Sequence, residues 1–284
     1  MTSPMTDLYA VIGNPIEHSK SPSIHAAFAR QTGQDIRYER ILGDLEAFED
    51  DVAGFFAAGG AGLNVTVPFK VRAHHMVDSL SQRARDAGAV NTLLRGAGGL
   101  SGDNTDGIGL VRDLGCNHLF SLSGARILLL GAGGAVRGVL GPLLDARPQR
   151  LVIANRTASK ALELAQEMAG SGPVLGCGLD QLSGQRFDLI INGTSAGLEA
   201  KVPEIPDDCL AEGGWTYDML YSSEATPFVT WGRAQGAARA LDGLGMLVEQ
   251  AAESFRLWRG VRPDTAPVIE ALRTAPLSPH QSPA

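Results

Sequence analysis

The chain has 284 residues, a formal net charge of −7 and 44% hydrophobic residues; the length predicts two domains with substantial cores, and the charge argues against a general nucleic-acid-binding protein. No apolar run approaches the roughly 20 residues that cross a bilayer, and the start of the chain lacks the basic and apolar regions of a secretory signal. The cysteines at 116, 177 and 209 are too widely spaced for a disulfide framework or a zinc site. The histidines at 18, 25, 74 and 75 have no ligand spacing either. We therefore expect a cytoplasmic protein with no nucleic-acid partner, no membrane partner and no metal.

The N-terminal part of the chain alternates short apolar strands with helices. Ser21 and Pro22 are a typical N-cap and first helical residue, and they predict a helix that ends near residue 31. Strands are predicted at 8–12, 37–41, 63–67 and 89–94, and further helices at 44–58, from 69 to about 80, and at 105–114. Strands that alternate with helices are typical of βαβ units, so we expect an α/β fold with a mainly parallel sheet.

The second half of the chain continues the alternation. Strands are predicted at 126–130, 151–154, 187–191 and 215–218, and helices after residue 135, at 157–169 and at 244–258. The last dozen residues, 273–284, contain three prolines and few apolar residues, which predicts a disordered tail.

A glycine-rich turn follows the apolar strand at 126–130. Gly131 and Gly133 stand directly between that strand and a helical stretch, which is the context that a dinucleotide-binding loop requires. Glycines allow a tight turn and a close approach of the backbone to a pyrophosphate at the helix N-terminus. The usual small residue at the third position is replaced by Val136, so this run by itself also fits a purely structural turn.

The end of the next strand indicates which dinucleotide would bind. An NAD site usually has an acid here that accepts a hydrogen bond from the ribose 2′-hydroxyl, but the chain has Asn155, Arg156 and Thr157. Arg156 offers a planar fork of donors to a 2′-phosphate, and Lys160 adds positive charge one helical turn later. The pattern favours NADP(H) over NAD, although a solvated arginine at a helix start is the simpler alternative for Arg156 alone.

Polar residues cluster at predicted strand ends in the first 110 residues. Ligands of parallel sheets bind beyond the carboxyl ends of the strands, so these groups could converge there. Hydroxyls, amides, one ammonium and one carboxylate suit a small polyhydroxylated acid. The groups concerned lie at 18–22, 64–70, 91 and 104–106.

At these residues the chain resembles the shikimate dehydrogenase family. The motifs occur in family order over nearly the whole chain, and several are long. They are GNPIEHSKSP (13–22), NVTVPFK (64–70), AGAVNT (87–92), DNTDG (103–107), GAGGA (131–135), NRT (155–157), NGTSAG (192–197), YDMLY (217–221) and GLGMLVEQAAESF (243–255). In the family's loop the small third residue is Ala135, which accounts for Val136.

The resemblance implies two domains and a reaction. The expected N-terminal α/β substrate-binding and catalytic domain covers 1–106 and is completed by helices of 240–272 that return to it. A Rossmann-type NADP-binding domain is expected at 107–239. The implied activity is the reversible, NADPH-dependent reduction of 3-dehydroshikimate to shikimate, on the route to chorismate and the aromatic amino acids, and a homodimer is consistent with the family.

The resemblance also implies roles for individual residues. Lys70 and Asp106 would be the catalytic pair that delivers a proton to the ketone oxygen. The substrate-binding residues would be Ser19, Ser21, Thr66, Lys70, Asn91, Asp106, Tyr221 and Gln250. The cofactor-binding residues would be Gly131, Ala132, Gly133, Gly134, Ala135, Asn155, Arg156, Thr157, Lys160, Thr194, Met219 and Gly243, with Gln82 as a further contact outside the motifs.

Two other functions fit the same motifs. One is a quinate/shikimate dehydrogenase of broader substrate use or with NAD, against which Arg156 and the missing acid argue. The other is a catalytically silent NADP-binding regulator on the same fold, against which the presence of both Lys70 and Asp106 argues.

Overall fold

A computed structural model describes residues 6–194 and 201–274 and divides the chain into two compact units. One unit comprises the described residues of Met1–Gly109 and Val248–Ala275, and the other comprises Leu110–Leu247. The sequence analysis places these boundaries at 106 and 240. No helix among the described residues is both long enough and apolar enough to span a bilayer.

The first unit is built on a mixed sheet with strand order β2-β1-β3-β5-β6-β4. Strand β1 is parallel to β2 and β3, whereas β5 is antiparallel to β3 and β6. The loops after β1 and β3 therefore emerge side by side at one edge of the sheet. The strands are β1 (Asp7–Gly13), β2 (Ile36–Leu42), β3 (Gly62–Val65), β4 (Ser79–Leu80), β5 (Thr92–Gly96) and β6 (Gly99–Asp103).

Helices cover this sheet and supply part of its core. Phe48 of α2 stacks on Phe69, with 4.6 Å between the ring centroids, and both are fully buried with Ile12 of β1. The chain leaves the first unit within α5 and returns to it within α9. The helices are α1 (Ser21–Thr32), α2 (Phe48–Ala57), α3 (Lys70–Met76), α4 (Gln82–Ala87), α5 (Asp106–Arg112), α9 (Leu244–Arg259) and α10 (Ala266–Thr274).

Local hydrogen bonds explain where the first unit departs from the predicted elements. Helix α2 begins at Phe48 and not at residue 44, because the carboxylate of Asp44 accepts the N–H groups of Glu46 and Ala47 and closes a turn. Lys20, not Ser21, is the N-cap of α1, since its carbonyl accepts the first helical bond, from the N–H of Ile24.

Three further elements of the first unit differ from the sequence-based prediction. The helix expected to reach residue 80 ends at Met76, and β4 follows it and pairs with β6. The strand expected at 89–94 begins at Thr92 and runs through the Gly96–Gly99 turn into β6, which was not predicted. Helix α10 was also missed, so Arg273 and Thr274 are helical and not part of a tail, while 275–284 lie outside the described residues.

The second unit is an all-parallel sheet with strand order β12-β11-β10-β7-β8-β9. Read from β9, this is the 3-2-1-4-5-6 order of the dinucleotide-binding fold, and the order reverses between β7 and β10. The strands are β7 (Arg126–Leu130), β8 (Arg150–Asn155), β9 (Val174–Gly178), β10 (Phe187–Asn192), β11 (Leu210–Asp218) and β12 (Arg239–Leu241), and the helices are α6 (Gly134–Asp145), α7 (Ala158–Glu167) and α8 (Pro227–Ala234). The predicted α/β class is therefore confirmed, although β9, β12 and α8 were missed because their apolar runs are short.

A buried ionic cluster holds α9 in the first unit. Glu253 is only 5% exposed, and its carboxylate meets Arg256 at 2.8 Å, Arg262 at 2.9 Å and Arg83 at 3.4 Å. Burial by itself raises the pKa of Glu253, but the hydrogen bond from Arg256 and the charges of Arg83 and Arg262 outweigh it, so the pKa lies below its usual value. The cluster fixes the helix that carries Gln250.

Glu253→Gln is expected to lower the free energy of unfolding by about 2 kcal/mol at pH 7, because a buried carboxylate that binds three arginines becomes a neutral amide. Arg83 and Arg262 keep the carboxylates of Asp103 and Glu249 as partners. A carboxyl whose pKa is depressed by folding stabilises the fold above its unfolded pKa. That contribution is lost as the pH falls through the lower, folded pKa. Thermal melts of both proteins from pH 7 to pH 3 should therefore converge at the acidic end. Glu270→Gln, at an exposed position of α10, is the control. Its melting temperatures should match those of the wild type at both ends of this pH range.

Candidate active site

Lys70 and Asp106 form a hydrogen-bonded ion pair in the first unit. Each is the first residue of its helix, Lys70 of α3 and Asp106 of α5. Lys70 Nζ lies 2.7 Å from Asp106 Oδ2, and the two side chains are 29% and 14% exposed. Lys70 directly follows the buried Phe69, which anchors the start of α3 in the core. The pair is thus partly desolvated yet open to a small molecule.

Asn91 supplies the second hydrogen bond to Asp106. The side-chain oxygen of Asn91 accepts the backbone N–H of Thr105 at 2.9 Å. Because a backbone N–H can only donate, this bond fixes the orientation of the amide. Asn91 Nδ2 therefore points at Asp106 Oδ1, 2.8 Å away. Both carboxylate oxygens of Asp106 accept a hydrogen bond, one from an amide and one from the ammonium of Lys70.

Helix α9 brings Gln250 to the same place. Its Oε1 lies 3.4 Å from Asn91 Nδ2 and 3.3 Å from the hydroxyl of Thr105. Thr105 is fully buried; it belongs to the polar groups predicted at 104–106 and to the DNTDG motif, but no individual role was predicted for it. The structure thus groups four polar side chains around Asp106, namely Lys70, Asn91, Thr105 and Gln250.

The two predicted serines follow β1, Ser19 in the loop and Ser21 as the first residue of α1. Ser21 is buried, Ser19 is partly buried, and the Ser19 hydroxyl accepts the N–H of Ser21 at 3.3 Å. Arg40 of β2 donates from Nε to the Ser19 carbonyl at 3.0 Å. Arg40, which was not predicted as a site residue from the sequence, fixes this loop and places a positive charge beside it. Thr66 follows the neighbouring strand β3 and is partly buried.

The glycine loop in the second unit has the geometry that a dinucleotide requires. Gly131 has φ = +108°, which side chains other than glycine rarely adopt, and a Cβ there would lie 3.2 Å from the carbonyl oxygen of Gly193. Gly133, Gly134 and Ala135 are exposed, and α6 begins at Gly134. The exposed N–H groups at the start of α6 suit the pyrophosphate of a dinucleotide.

The residues after β8 present positive charge to solvent. Asn155 Nδ2 donates to the carbonyl of Thr157 at 3.0 Å and shapes the turn. Arg156, Thr157 and Lys160 are exposed, and within the described part of the chain Arg156 and Lys160 are in no ion pair. Two free cations and a hydroxyl fit a 2′-phosphate.

Three further predicted cofactor residues meet at the carboxyl ends of β10 and β11. Asn192 accepts from the N–H of Thr194 at 3.1 Å, and its backbone carbonyl accepts the N–H of Met219 at 2.9 Å. A Cβ on Gly243 would lie 2.3 Å from the Met219 carbonyl oxygen, so glycine is required for this approach. Ser195 to Gly197 of the NGTSAG motif lie outside the described residues.

Asp218, which the sequence analysis did not single out, holds these loops together. It is fully buried and accepts from Asn192 Nδ2 at 3.1 Å, from the N–H of Leu220 at 3.2 Å and from the Thr226 hydroxyl at 2.6 Å. Burial raises the pKa of Asp218 despite these three hydrogen bonds. The YDMLY motif that contains it was the available signal.

Gln82 and Tyr221 each lie in a different unit from the other residues with which they are predicted to bind cofactor or substrate. Gln82 lies in the first unit, where its amide donates to Asp86 at 2.6 Å within α4, whereas the other predicted cofactor residues belong to the second. Tyr221 belongs to the second unit, whereas the other predicted substrate residues belong to the first. No group of three or more metal-ligating side chains occurs among residues 6–194 and 201–274.

Comparisons with known proteins agree with this arrangement. A family model of the shikimate dehydrogenase substrate binding domain matches residues 11–93, one of shikimate/quinate 5-dehydrogenase matches 114–200, and one of the shikimate 5′-dehydrogenase C-terminal domain matches 243–273. A shikimate dehydrogenase (NADP(+)) from Alkalilimnicola ehrlichii is 62% identical over 269 residues, which are 95% of this chain and 99% of that protein.

Solved structures show the same likeness. The crystal structure of an Ael1 enzyme from Pseudomonas putida is 47% identical, with a TM-score of 0.89 over 96% of this chain and 100% of that one. The crystal structure of shikimate 5-dehydrogenase from Thermus thermophilus in complex with NADP(H) and shikimate is 34% identical, with a TM-score of 0.82 over 94% and 98% of the two chains. On this evidence the chain belongs to the shikimate dehydrogenase family.

Proposed function

We propose that this enzyme catalyses the reversible reduction of 3-dehydroshikimate to shikimate with NADPH, as a step towards chorismate and the aromatic amino acids. The observation that carries the proposal is the ion pair of Lys70 with Asp106, 2.7 Å apart, in a chain that is 62% identical to a shikimate dehydrogenase (NADP(+)). The residues of 1–106 and 240–272 would bind the substrate and those of 107–239 the cofactor. We also propose the cytoplasm as its compartment.

The proton donor of the proposed reaction is Lys70. When bound, NADPH supplies the hydride to the ring ketone carbon, and negative charge develops on the ketone oxygen. The ammonium of Lys70 donates a hydrogen bond to that oxygen and then its proton. Asp106, which Asn91 and Lys70 hold in place, accepts from the neighbouring ring hydroxyl and keeps Lys70 directed at the ketone. Gln250 and Thr66 would bind the remaining hydroxyls.

Cofactor recognition follows from the exposed groups of the second unit. The N–H groups at the start of α6 would bind the pyrophosphate, and Arg156, Thr157 and Lys160 the 2′-phosphate. Thr194, Met219 and Gly243 would line the nicotinamide.

Ser19→Ala and Ser21→Ala are each expected to raise KM for shikimate roughly 10-fold with kcat unchanged. Each substitution removes one hydroxyl donor to the substrate carboxylate, a bond to a charged group worth roughly 1.5–3 kcal/mol. A bond that acts equally in the ground state and the transition state affects KM alone. Steady-state kinetics of both variants test this, with Ser23→Ala, at an exposed position of the same helix, as the control. An unchanged KM in both variants would remove the serines from the binding site.

A direct assay tests the proposed function. The purified protein is given shikimate or quinate with NADP or NAD, and the absorbance of the reduced nicotinamide is followed. We expect turnover of shikimate with NADP to exceed the other three combinations. Comparable rates with quinate would place the enzyme with the broader quinate/shikimate dehydrogenases, and absence of turnover with any pair would favour a silent NADP-binding protein.

Light scattering tests the homodimer, which the family resemblance alone supports.

A further inference from the structure

A chain of hydrogen-bonded side chains, buried except for the partly buried Tyr38, connects Asp106 to the edge strand β2 of the first unit. The hydroxyl of Tyr38 on β2 donates to Asn64 Oδ1 at 2.7 Å. Asn64 on β3 donates from Nδ2 to the hydroxyl of Thr92 on β5 at 3.2 Å. Thr92 in turn donates to Asn91 Oδ1 at 2.8 Å, and Asn91 donates to Asp106.

The direction of every bond in this chain is determined by groups that can only donate or only accept. The backbone carbonyl of Asn91 accepts from Asn64 Nδ2 at 3.1 Å, which fixes the amide of Asn64. The backbone N–H of Thr105 fixes the amide of Asn91 in the same way. Asn91 Oδ1 can only accept, so the hydroxyl of Thr92 must donate to it. All the donors therefore point towards Asp106.

The hydroxyl of Thr92 joins the side-chain amides of Asn64 and Asn91 directly. It is fully buried, and its Oγ1 also lies 2.8 Å from the hydroxyl of Ser254 on α9, which is fully buried too. Because Thr92 gives its single proton to Asn91, the Ser254 hydroxyl donates to Thr92. The backbone carbonyl oxygen of Gln250 lies 3.1 Å from the Ser254 hydroxyl. One hydroxyl thus meets groups from β3, from α9 and from the residue that contacts Asp106. Hydrogen bonds in such a chain polarise and strengthen one another in a low dielectric.

We propose that Thr92 is a positioning residue of the proposed reaction, whose hydroxyl orients Asn91 and through it the carboxylate of Asp106. This inference rests on the proposed function, since its effect is read at the Lys70–Asp106 pair. Thr92 touches neither of these two residues. Its hydroxyl matters because the amide of Asn91 donates to Asp106 Oδ1, while the ammonium of Lys70 donates to Asp106 Oδ2. A change in the orientation of Asn91 therefore turns the carboxylate and displaces the ammonium. A misdirected carboxylate moves the proton donor away from the ketone oxygen, which lowers kcat more than binding.

The sharpest comparison is between Thr92→Ser and Thr92→Ala, because these two variants differ by one oxygen atom and share the missing methyl group. We expect Thr92→Ser to keep kcat within about threefold of the wild type and Thr92→Ala to lose roughly tenfold. Without the hydroxyl, Asn91 Oδ1 accepts from Thr105 alone, and Asn64 Nδ2 loses its acceptor on β5. KM for NADP should be the same in both. The difference in kcat between the two variants therefore measures the effect of the hydroxyl and not that of the cavity left by the methyl group.

Thr265→Val is the matched control. Thr265 is a buried threonine of the same unit whose hydroxyl donates to Glu249 at 2.6 Å. Glu249 pairs with Arg262 of the ionic cluster, and neither Thr265 nor Glu249 belongs to the chain that ends on Asp106. We expect this variant to melt at a lower temperature with kcat within about twofold of the wild type. A purely structural role of Thr92 would give the same result, with a lower melting temperature and equal kcat in the Ser and Ala variants, and that would overturn the proposal.

A second readout does not depend on activity. In nitrogen–proton NMR spectra we expect the side-chain amide signals of Asn91 to shift between the Thr92→Ser and Thr92→Ala proteins and to stay unchanged in Thr265→Val. If the wild type turns over shikimate but the Asn91 signals are identical in the two Thr92 variants, the role of Thr92 is overturned and the proposed function stands. A wild type without turnover overturns the proposed function, and the Asn91 signals then still decide whether Thr92 orients this amide.

Discussion

Lys70→Ala is expected to lower kcat for shikimate oxidation by roughly 10²- to 10⁴-fold, the usual contribution of general acid–base catalysis. The variant loses the group that exchanges the proton with the reacting oxygen and the positive charge that faces it. That charge is needed mainly when the oxygen becomes negative, so KM for shikimate should change little. Steady-state kinetics with shikimate and NADP, together with a thermal melt, provide the measurement.

Lys70→Arg tests whether the positive charge without a transferable proton is enough for catalysis. Arginine keeps the charge, but its planar fork on a longer side chain displaces the donor, and it does not release a proton near neutral pH. We therefore expect little recovery of kcat. Both variants should fold, because Lys70 lies at a helix start with its side chain 29% exposed. A folded Lys70→Ala enzyme with kcat within about threefold of the wild type would contradict the role of Lys70 and the proposed mechanism with it.

Arg156→Asp is expected to raise KM for NADP about 100-fold while changing KM for NAD by less than about threefold. The substitution replaces a charge-assisted hydrogen bond to the 2′-phosphate, worth roughly 1.5–3 kcal/mol, by a repulsion between like charges. NAD has no 2′-phosphate, and an aspartate at this position can instead accept from its ribose hydroxyl. Kinetics with the two cofactors at saturating shikimate measure the ratio.

Arg233→Asp is the control for the change of charge. Arg233 lies at an exposed position of α8 in the same unit, so its replacement changes the net charge equally without altering the turn after β8. We expect both KM values to stay at the wild-type level in this variant. Equal losses for NADP and NAD in Arg156→Asp would mean that Arg156 supports the loop and does not select the cofactor.

The cofactor half could be predicted in most of its essentials because its signals are local. The glycines at 131 and 133 directly follow an apolar strand, and the positive φ of Gly131 is a property of that turn alone. Arg156 lies at the next strand end, where the chain geometry of the fold places the ribose. These relations act over a few residues, so the residue types and their spacing are enough to indicate a dinucleotide and to favour NADP(H).

The short elements could not be predicted for the opposite reason. Strands β4 and β12 have two and three residues, too few for a period to show, and they exist because neighbouring strands offer free hydrogen-bonding groups. The antiparallel β5–β6 hairpin interrupts a region whose pattern suggested parallel strands only. Asp44 shortened α2 through a side-chain bond that competes with the first helical turn.

The sequence by itself determined the fold class and which side chains carry the candidate chemistry, since these follow from hydrophobic periodicity and from motifs such as the one that contains Lys70. Only the tertiary structure decided how those side chains meet. The bond of Asn91 to Asp106, the contact of Gln250 with Thr105 and the place of Thr92 between two amides join residues up to 145 positions apart in sequence. Such contacts depend on strand register and on the return of α9 to the first unit. The physical reason is that hydrogen bonds have a short range and a fixed direction, so a polar residue acquires its role only when folding brings a partner within about 3 Å of it.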